Sequence, residues 1–509
     1  MPAWTSLCFE IKSIQSYIFS SGRLRDIIGA SELIDLLTND QAPENLLDAV
    51  LHSIEAEEMI QFSRRAGGAL YAFSEDEALL RRFAALWTLS MQNWAPGLGY
   101  AMGWGEGLGL QDAFDNARRD LQKRSSVPIP ALPFGAPIAQ RAPRTGSVAV
   151  EFHRKDGPID AATVRKKAFA DLAHAGFVGR FSPPEAELGW KDWPRNLEHS
   201  EDGGDFPFKG ERRFIAVLHA DGNGMGQTLM NIRQAVQKSP DRFLNYYKGF
   251  SKALDASTQH AAREAARQVL IPARDDSGML PARPILLGGD DVTVIVRADL
   301  ALAYARCFAQ AFEHRSATEL AKLRKQGIDG LPGKLTIGFG IAYMRASQPF
   351  YMAVNLAESL MEAAKSQAKK NVAAGTPTPS SVVFHRITAA LPGDYADALK
   401  TDLSHQHGRQ RYIHTLGAYA LLDDSQPAGT AAHSPLPRLA DLQSLQDMLH
   451  APDMARGPTR QLLDLIELDP TQATIAWRRW KKRMKEHKPD VLHAFHKVMT
   501  RLLPIDPAG

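Results

Sequence analysis

The chain of 509 residues is poor in cysteine and lacks long apolar runs. Its two cysteines, Cys8 and Cys307, lie among apolar residues, which predicts buried thiols rather than a disulfide and excludes a cysteine-rich zinc site. We find no stretch of about 18 apolar residues that would span a membrane. The N-terminus lacks the basic start and apolar core of a secretion signal. We therefore expect a cytoplasmic protein with no membrane contact.

Several common catalytic signatures are also missing. The sequence has no Gly-x-Ser-x-Gly elbow, no Gly-x-x-x-x-Gly-Lys-Ser/Thr phosphate loop and no His-Asp dipeptide of metal phosphohydrolases. The net charge of +3 neither favours nor excludes nucleic acid. A basic run near the C-terminus either binds phosphate backbones or forms a solvated helix face, and it consists of Arg478, Arg479, Lys481, Lys482, Arg483, Lys485 and Lys488.

Apolar strand-length runs and helical spacings follow one another in a repeated order. The first copy predicts strands at 6–11 and 98–104, a hairpin at 60–73, and helices at 14–37, 75–93 and 110–123. The second copy predicts strands at 214–220 and 335–343, a hairpin at Gly288-Gly289, and helical regions at 225–267, 300–325 and 349–370. Both read βαββαβ, which is the ferredoxin-like order.

The fold class predicted from these patterns is α+β. It comprises two ferredoxin-like domains, which resemble the palm, or nucleotide cyclase-like, fold, and a C-terminal helical domain. We place a degenerate first palm at 1–144, a connector or small subdomain at 145–210, a second palm at 211–390 and the helical domain at 391–509. Segments 373–381 and 425–437 are rich in Pro, Ala, Ser and Thr and are predicted linkers.

Three aspartates of the second copy form the candidate catalytic and metal-binding set. Asp221 ends the first strand, and Asp290 and Asp291 open the third. Because these strands are antiparallel neighbours in a ferredoxin-like sheet, the three carboxylates should meet at one edge. Such a cluster repels itself unless cations fill it, and carboxylate oxygens favour Mg²⁺ or Mn²⁺. Two metal ions near phosphate would make a nucleotidyl-transfer site.

Glycines around the aspartates suit a bound nucleotide. Gly222, Asn223 and Gly224 precede a helix start, where open backbone N–H groups can accept a triphosphate. Gly288 and Gly289 let the backbone turn and let a nucleotide come close. Either segment alone could be an ordinary turn, and only the two together favour a site.

Two lysines and the hairpin of the first copy complete the pattern. Lys365 and Lys369 share a face of the helix after the fourth strand and could neutralise a triphosphate, or could be solvated lysines. The first copy carries Ala69 and Leu70 at the positions that Asp290 and Asp291 hold in the second. One copy is therefore expected to be unable to bind metal.

These motifs resemble known families. The segment Leu335-Thr-Ile-Gly-Phe-Gly-Ile-Ala with Ala357–Lys365 is similar to the end of a GGDEF diguanylate cyclase domain. The Gly-Gly-Asp-Asp hairpin, the paired palms and the stretch from Ile11 to Ser31 resemble the large polymerase-like subunit of type III CRISPR effector complexes. The resemblance covers roughly residues 5–390 and, loosely, the helical tail.

The resemblance implies an activity and a set of roles. In that family the second palm joins ATP molecules into cyclic oligoadenylates, which implies two Mg²⁺ or Mn²⁺ ions on Asp221, Asp290 and Asp291. It places Gly288 and Gly289 beside the nucleotide, Lys365 at its phosphates, and the acceptor nucleotide on the first palm. Its implied partners are nucleoside triphosphates, guide or target RNA and other CRISPR effector subunits.

The chain also departs from that family. It lacks the HD nuclease domain and the zinc-binding cysteines, so it resembles a compact form from which DNA cleavage is not expected. Asn223 stands where relatives often have Asp. Two other functions stay open: an RNA-binding scaffold subunit with a vestigial palm site, and a stand-alone cyclic dinucleotide synthase. Base preference, ring size, linkage and oligomeric state lie beyond the sequence.

Overall fold

The computed structural model describes residues 4–39, 45–126, 138–171, 176–197, 203–370, 372, 377–388, 392–407, 410–422, 436–451, 454 and 456–502. The chain divides into two units, Met1–Leu335 with Met344–Ala353 and Thr336–Tyr343 with Val354–Gly509. The predicted domain boundaries after residues 144, 210 and 390 stay predictions. The predicted linkers lie largely outside the described residues, at 373–376 and 425–435.

The first unit opens with the predicted ferredoxin-like sheet. Its elements are β1 (Trp4–Lys12), α1 (Ile14–Phe19), α2 (Leu24–Thr38), α3 (Leu46–Ser53), β2 (Gln61–Ala66), β3 (Ala69–Ser74), α4 (Glu77–Trp94), β4 (Gly99–Gly107) and α5 (Leu110–Ser125). The strands lie in the order β2-β3-β1-β4, and each neighbouring pair is antiparallel. The sequence predicts one helix over 14–37, but the chain breaks between α1 and α2 at Gly22, whose φ of 70° is left-handed.

A stripe of glycine lets α5 lie directly on β4. A Cβ built on Gly105 would stand 2.2 Å from the backbone nitrogen of Ala117, and one on Gly103 would stand 2.2 Å from that of Leu121. Because β-strand side chains alternate, Gly103 and Gly105 present the same face of the sheet to the helix. The α5 residues that contact Gly105 are Ala113 and Ala117, which are small and fully buried.

The connector packs against the first palm through α2. Its elements are β5 (Ala149–His153), β6 (Gly157–Asp160), α6 (Ala161–Asp171) and α7 (Gly176–Gly179). A Cβ on Gly29 of α2 would stand 1.7 Å from the carbonyl oxygen of Lys166, so α2 and α6 touch backbone to backbone. The fully buried Lys166 ammonium donates to Ser20 Oγ at 2.8 Å and to the Tyr17 carbonyl, which ties the connector to the end of α1.

The first unit continues into the second copy of the repeat. Its elements are β7 (Phe214–Gly222), α8 (Met225–Lys238), α9 (Phe243–Ala265), β8 (Ala282–Gly288), β9 (Asp291–Arg297) and α10 (Ala301–Lys325). Strand β9 lies between β7 and β8 and is antiparallel to both, as predicted for the third strand of the fold. The predicted helical region 225–267 is divided between α8 and α9 by a 3₁₀ turn that begins at Pro240.

The second unit combines a small sheet with helices. Its elements are β10 (Ile337–Arg345), α11 (Phe350–Lys370), β11 (Ser381–Arg386), α12 (Tyr395–Thr401), β12 (Ser404–His407), β13 (Gln410–Ile413), β14 (Tyr419–Ala420), α13 (Leu439–His450), α14 (Arg456–Leu468), α15 (Pro470–His487) and α16 (Pro489–Leu502). Strand β11 pairs with β10 in parallel and with β14 antiparallel. The helices from α13 onwards pack around Met454, Trp480, Met484, Leu492 and Phe495.

The element order of the second copy, from β7 to α11, repeats that of the first and confirms the predicted α+β class. The strands β12 to β14 interrupt the segment that the sequence assigned to a helical domain, and helices follow from Leu439. Cys8 is buried, Cys307 is half-buried and both thiols are free. Among the described helices, none has the length and hydropathy needed to cross a bilayer.

The glycine stripe predicts that alanine substitutions at Gly105 and at Gly109 differ sharply in their effect on the free energy of unfolding. We expect Gly105→Ala to lower the free energy of unfolding by about 3 kcal/mol, because the new methyl group would overlap the α5 backbone. Gly109→Ala is the matched control, since a Cβ there meets nothing within 4 Å. Urea unfolding followed by circular dichroism measures both. Equal stability of the two variants would contradict the close helix–sheet contact.

Candidate active site

The turn between β8 and β9 is built for close approach. Gly288 pairs with Asp291 across the turn, and Gly289, with φ of 65°, adopts a left-handed conformation that favours glycine. The Thr258 hydroxyl of α9 donates to the Gly289 carbonyl and fixes the turn against the helix. The second palm thus presents Asp290 at a rigid position.

Strand β7 brings Asp221 to the same turn. Ala220 lies opposite Val292 in the antiparallel register, so Asp221 comes one residue after this pair on β7 and Asp291 one residue before it on β9. The buried His219 imidazole contacts Thr293 Oγ1 at 2.9 Å and supports that register. A Cβ on Gly222 would stand 3.0 Å from Asp290 Cβ, which shows how closely the two segments pack.

Asp290 has a perturbed pKa because of burial and of its neighbour Asp221. Burial first, and then the negative charge of Asp221, raise the pKa of Asp290 to about 6, while the Arg64 guanidinium opposes the shift. A hydrogen bond with Asp221 adds to the increase. The structure therefore brings together the two aspartates that the sequence placed on different strands.

Asp291 is the first residue of β9. It lines a small cavity of about 60 Å³ together with Asp35, Gly67, Arg180 and Gly288. A metal-binding role of Asp291 stays a prediction.

The residues present fit a divalent cation in part. In the described part of the chain, no group of three or more His, Cys, Asp or Glu side chains has an arrangement that could hold a metal ion. Asp221 and Asp290 nevertheless offer carboxylate oxygens from closely packed segments, and such oxygens are the ligands that hard cations prefer. The predicted Mg²⁺ or Mn²⁺ would be held by these two carboxylates first.

The predicted phosphate-binding segment follows Asp221 directly. Gly222 and Asn223 are buried and Gly224 is exposed with φ of 71°, after which α8 starts at Met225. The Gly224 carbonyl accepts the first helical bond, from Thr228 N at 3.1 Å. This segment therefore enters the helix as the sequence predicted, with the start of α8 close to Asp221.

Lys365 and Lys369 belong to the second unit. The stem of Lys365 packs over β10, since a Cβ on Gly338 would stand 2.5 Å from Lys365 Cγ. Lys369 follows one turn later on α11 and is exposed. Their approach to a phosphate at the aspartates stays a prediction.

Sequence reasoning missed a group of cations supplied by both palms. A cavity of about 1060 Å³ is lined by Arg64 and Arg65 of β2 and by Lys248 and Lys252 of α9. Burial, together with the neighbouring charges of Lys252 and Arg65, lowers the pKa of Lys248. Carboxylates line the same cavity, so its charge is mixed; they belong to Glu57, Glu58, Glu185, Asp255 and Glu264. The pair Arg64-Arg65 stands two residues before Gly67-Gly68, whereas the second palm has Ile285-Leu286 there.

The turns of the two palms face each other. A Cβ on Gly288 would stand 3.3 Å from Gly67 Cα, and a Cβ on Gly67 would stand 3.4 Å from the Gly288 carbonyl carbon. Arg64 Nη2 lies 3.7 Å from the position of a Cβ on Gly289. The Arg64 guanidinium of the first palm therefore places a positive charge near Asp290 of the second palm.

Comparison with known proteins agrees with this geometry. Residues 214–374 match the family model described as Cas10/Cmr2, second palm domain. This segment is similar to the second palm of Cas10 proteins. The match begins with β7, which carries Asp221, and runs past the Asp290–Asp291 turn and both lysines of α11. No protein of curated function matches the sequence.

Solved structures give weaker likenesses. The Csm1–Csm4 cassette in complex with AMPPNP is 12% identical with a TM-score of 0.48, and the match covers 99% of this chain and 70% of that chain. The cassette in complex with cA3 is 13% identical with a TM-score of 0.43, covering 74% and 55%. Csm1 of T. onnurineus is 13% identical with a TM-score of 0.41, covering 74% and 54%. In the last two matches this chain spans about half of the other chain.

The raised pKa of Asp290 predicts competition between protons and metal at the Cas10-like palm. Its folded pKa of about 6 exceeds the ordinary 3.8, so this group stabilises the metal-free fold below pH 3.8 and loses that contribution as the pH rises through 6. The loss amounts to at most about 3 kcal/mol. Mg²⁺ should reverse it by replacing the proton.

Thermal unfolding with and without Mg²⁺ at pH 5.0 and 7.5 measures this competition. We expect Mg²⁺ to stabilise the wild type at pH 7.5 and to have little effect at pH 5.0. Asp290→Asn should remove the difference, because the amide does not titrate. An equal effect of Mg²⁺ at both pH values would contradict competition between the metal ion and a proton on Asp290.

Proposed function

We propose that this chain is a metal-dependent nucleotidyltransferase that joins ATP into cyclic oligoadenylate-type second messengers in type III CRISPR antiviral defence. The observation that carries the proposal is the close packing of the Asp221–Gly222 segment against Asp290, which brings the end of β7 to the Gly-Gly turn. The match of residues 214–374 to the Cas10/Cmr2 second palm supports it. The type III complex and its guide or target RNA are part of the proposal.

The reaction requires two nucleotides held in line. The 3′-hydroxyl of one attacks the α-phosphate of the other, a new P–O bond forms, and the α–β bridging bond breaks to release pyrophosphate. When bound, divalent cations lower the pKa of the attacking hydroxyl and neutralise the leaving phosphates. Asp221 and Asp290 would hold them, with Asp291 as a further candidate ligand. Gly288 and Gly289 leave room for the nucleotide, and the first palm would hold the acceptor.

We expect positively charged groups from both palms to contact the reacting phosphates. The segment Gly222–Gly224 and the lysines Lys365 and Lys369 are proposed contacts of the triphosphate. Arg64 adds a charge from the first palm, since its guanidinium acts on Asp290 and also lines the 1060 Å³ cavity. Catalysis would then rest on positioning and on charge neutralisation.

Removing the carboxylates tests the proposed activity. We expect Asp290→Ala combined with Asp291→Ala to reduce product from ATP and Mg²⁺ by at least about 100-fold, because the metal ions lose their ligands. Mass spectrometry of products from ATP, GTP and their mixture, with and without RNA, gives the readout. Asp276→Ala, an exposed acid before β8, is the control. Unchanged product from the double variant would refute the assignment.

Arg64 provides a separate prediction. A charged hydrogen bond contributes about 1.5–3 kcal/mol, so Arg64→Ala should lower kcat/KM for ATP by roughly 10- to 100-fold. Arg82→Ala, an exposed arginine of the same palm, should leave kcat/KM unchanged. Steady-state kinetics at saturating Mg²⁺ measures both. Equal kinetics in the two variants would remove Arg64 from the site.

A second candidate function is an RNA-binding scaffold subunit with a vestigial palm site. The basic run supports it, because Arg478, Arg479, Lys481, Lys482, Arg483 and Lys485 are all exposed on α15. The apolar side of the same helix, with Trp480 and Met484, is buried in the bundle. RNA that co-purifies with a chain showing no nucleotide turnover would favour this function, whereas a cyclic dinucleotide product would favour a stand-alone synthase.

A further inference from the structure

One arginine of the connector joins the two palms beside the Gly-Gly turns. Arg180 follows α7 and donates from Nη1 to Asp35 Oδ1 at 2.8 Å and to the Leu287 carbonyl at 3.0 Å. Its Nη2 donates to Asp255 Oδ1 at 2.7 Å. Asp35 lies on α2 of the first palm and Asp255 lies on α9 of the second. A single guanidinium therefore bridges matching helices of both palms.

The two carboxylates are held in the same way on each side. Asn39 donates to Asp35 Oδ2 at 2.8 Å, and Gln259 donates to Asp255 Oδ2 at 2.7 Å. Each palm thus offers a carboxylate followed four residues later by an amide, and Arg180 stands between them. This arrangement follows the internal repeat, although Arg180 itself lies outside both copies.

The network is buried and adjoins the turns. Exposed side-chain fractions are 12% for Arg180, 6% for Asp35 and 21% for Asp255. The arginine cannot move freely, because neighbouring Phe177, Val178 and Phe181 are buried. The hydrogen bond from Arg180 to the Leu287 carbonyl holds the residue that directly precedes Gly288. The same network walls the 60 Å³ cavity that Gly67, Gly288 and Asp291 also line.

We infer that Arg180 is a positioning residue for nucleotide joining: it clamps α2 of the first palm to α9 of the second and holds the two Gly-Gly turns at the separation that the reaction needs. The inference rests on the proposed function for its kinetic consequence. A planar guanidinium suits the role because one rigid group can serve three acceptors in fixed directions. Misplacement of reacting groups by about 1 Å costs on the order of 100-fold in rate.

The test compares Arg180→Met with a matched control. Arg180→Met keeps the apolar stem and removes the guanidinium, whereas Arg267→Met removes an arginine that pairs with Glu264 at 2.6 Å near the end of α9. We expect Arg180→Met to lower kcat on the order of 100-fold with KM for ATP changed less than about threefold, and Arg180→Lys to recover only part of the loss. The control should keep wild-type kcat.

A second readout does not depend on activity. Hydrogen exchange at the amides of 66–69 and 287–291 should become faster in Arg180→Met than in the wild type and the control, because the turns lose their common clamp. If Arg180→Met fails to fold, Asp255→Asn tests the same bridge while the Asp35 contact remains. Wild-type exchange and wild-type kcat in a folded Arg180→Met, even with a lower melting temperature, would reduce Arg180 to a structural role and overturn the inference.

The two readouts separate the inference from the proposed function. A wild-type chain that makes no product would end the proposed function, and hydrogen exchange alone would then decide whether Arg180 clamps the turns. A wild-type chain that is active, together with an Arg180→Met variant whose exchange and kcat are both unchanged, would leave the proposed function standing and refute the clamp.

Discussion

The contact between two glycine backbones is the constraint on which the candidate site depends. Gly67 and Gly288 approach so closely that a Cβ on either would stand 3.3–3.4 Å from backbone atoms of the other. A Cβ on Gly288 would require the facing turn to shift by a few tenths of an ångström, and a side chain at Gly67 would be strained by its φ of 60°. Because the turns are in contact, an arginine of one palm acts on a carboxyl group of the other. The two copies of the repeat are therefore joined at their turns.

The two copies have diverged in complementary ways. The second palm carries Asp290 and Asp291 where the first carries Ala69 and Leu70. In the strand before the turn, the first palm carries Arg64-Arg65 where the second carries Ile285-Leu286. Acidic groups that would hold metal ions thus lie on the second copy, and Arg64 and Arg65 of the first copy add positive charge to the lysines of the second. Opposite charges across the shared turn suit a reaction between polyanions at a cation site.

Local patterns predicted the parts of the site that follow from topology. The pairing of β7 with β9 could be inferred from the order of elements, and it correctly placed Asp221 near Asp290. Asp291 lines the 60 Å³ cavity, and its predicted role as a third metal ligand stays a prediction. Arg64 and Arg180 were missed because their contacts join residues more than 70 positions apart in sequence, and no local spacing signals such contacts.

The sequence by itself determined the repeated βαββαβ order, the two glycine turns and the strand ends that carry the acidic residues. It did so because hydrophobic periodicity and turn chemistry are local properties of the chain. Only the tertiary structure decided that the two turns meet, that burial beside Asp221 raises the pKa of Asp290, and that one connector arginine spans both palms. Those outcomes depend on how distant surfaces pack, which the spacing of residues along a single strand or helix does not encode.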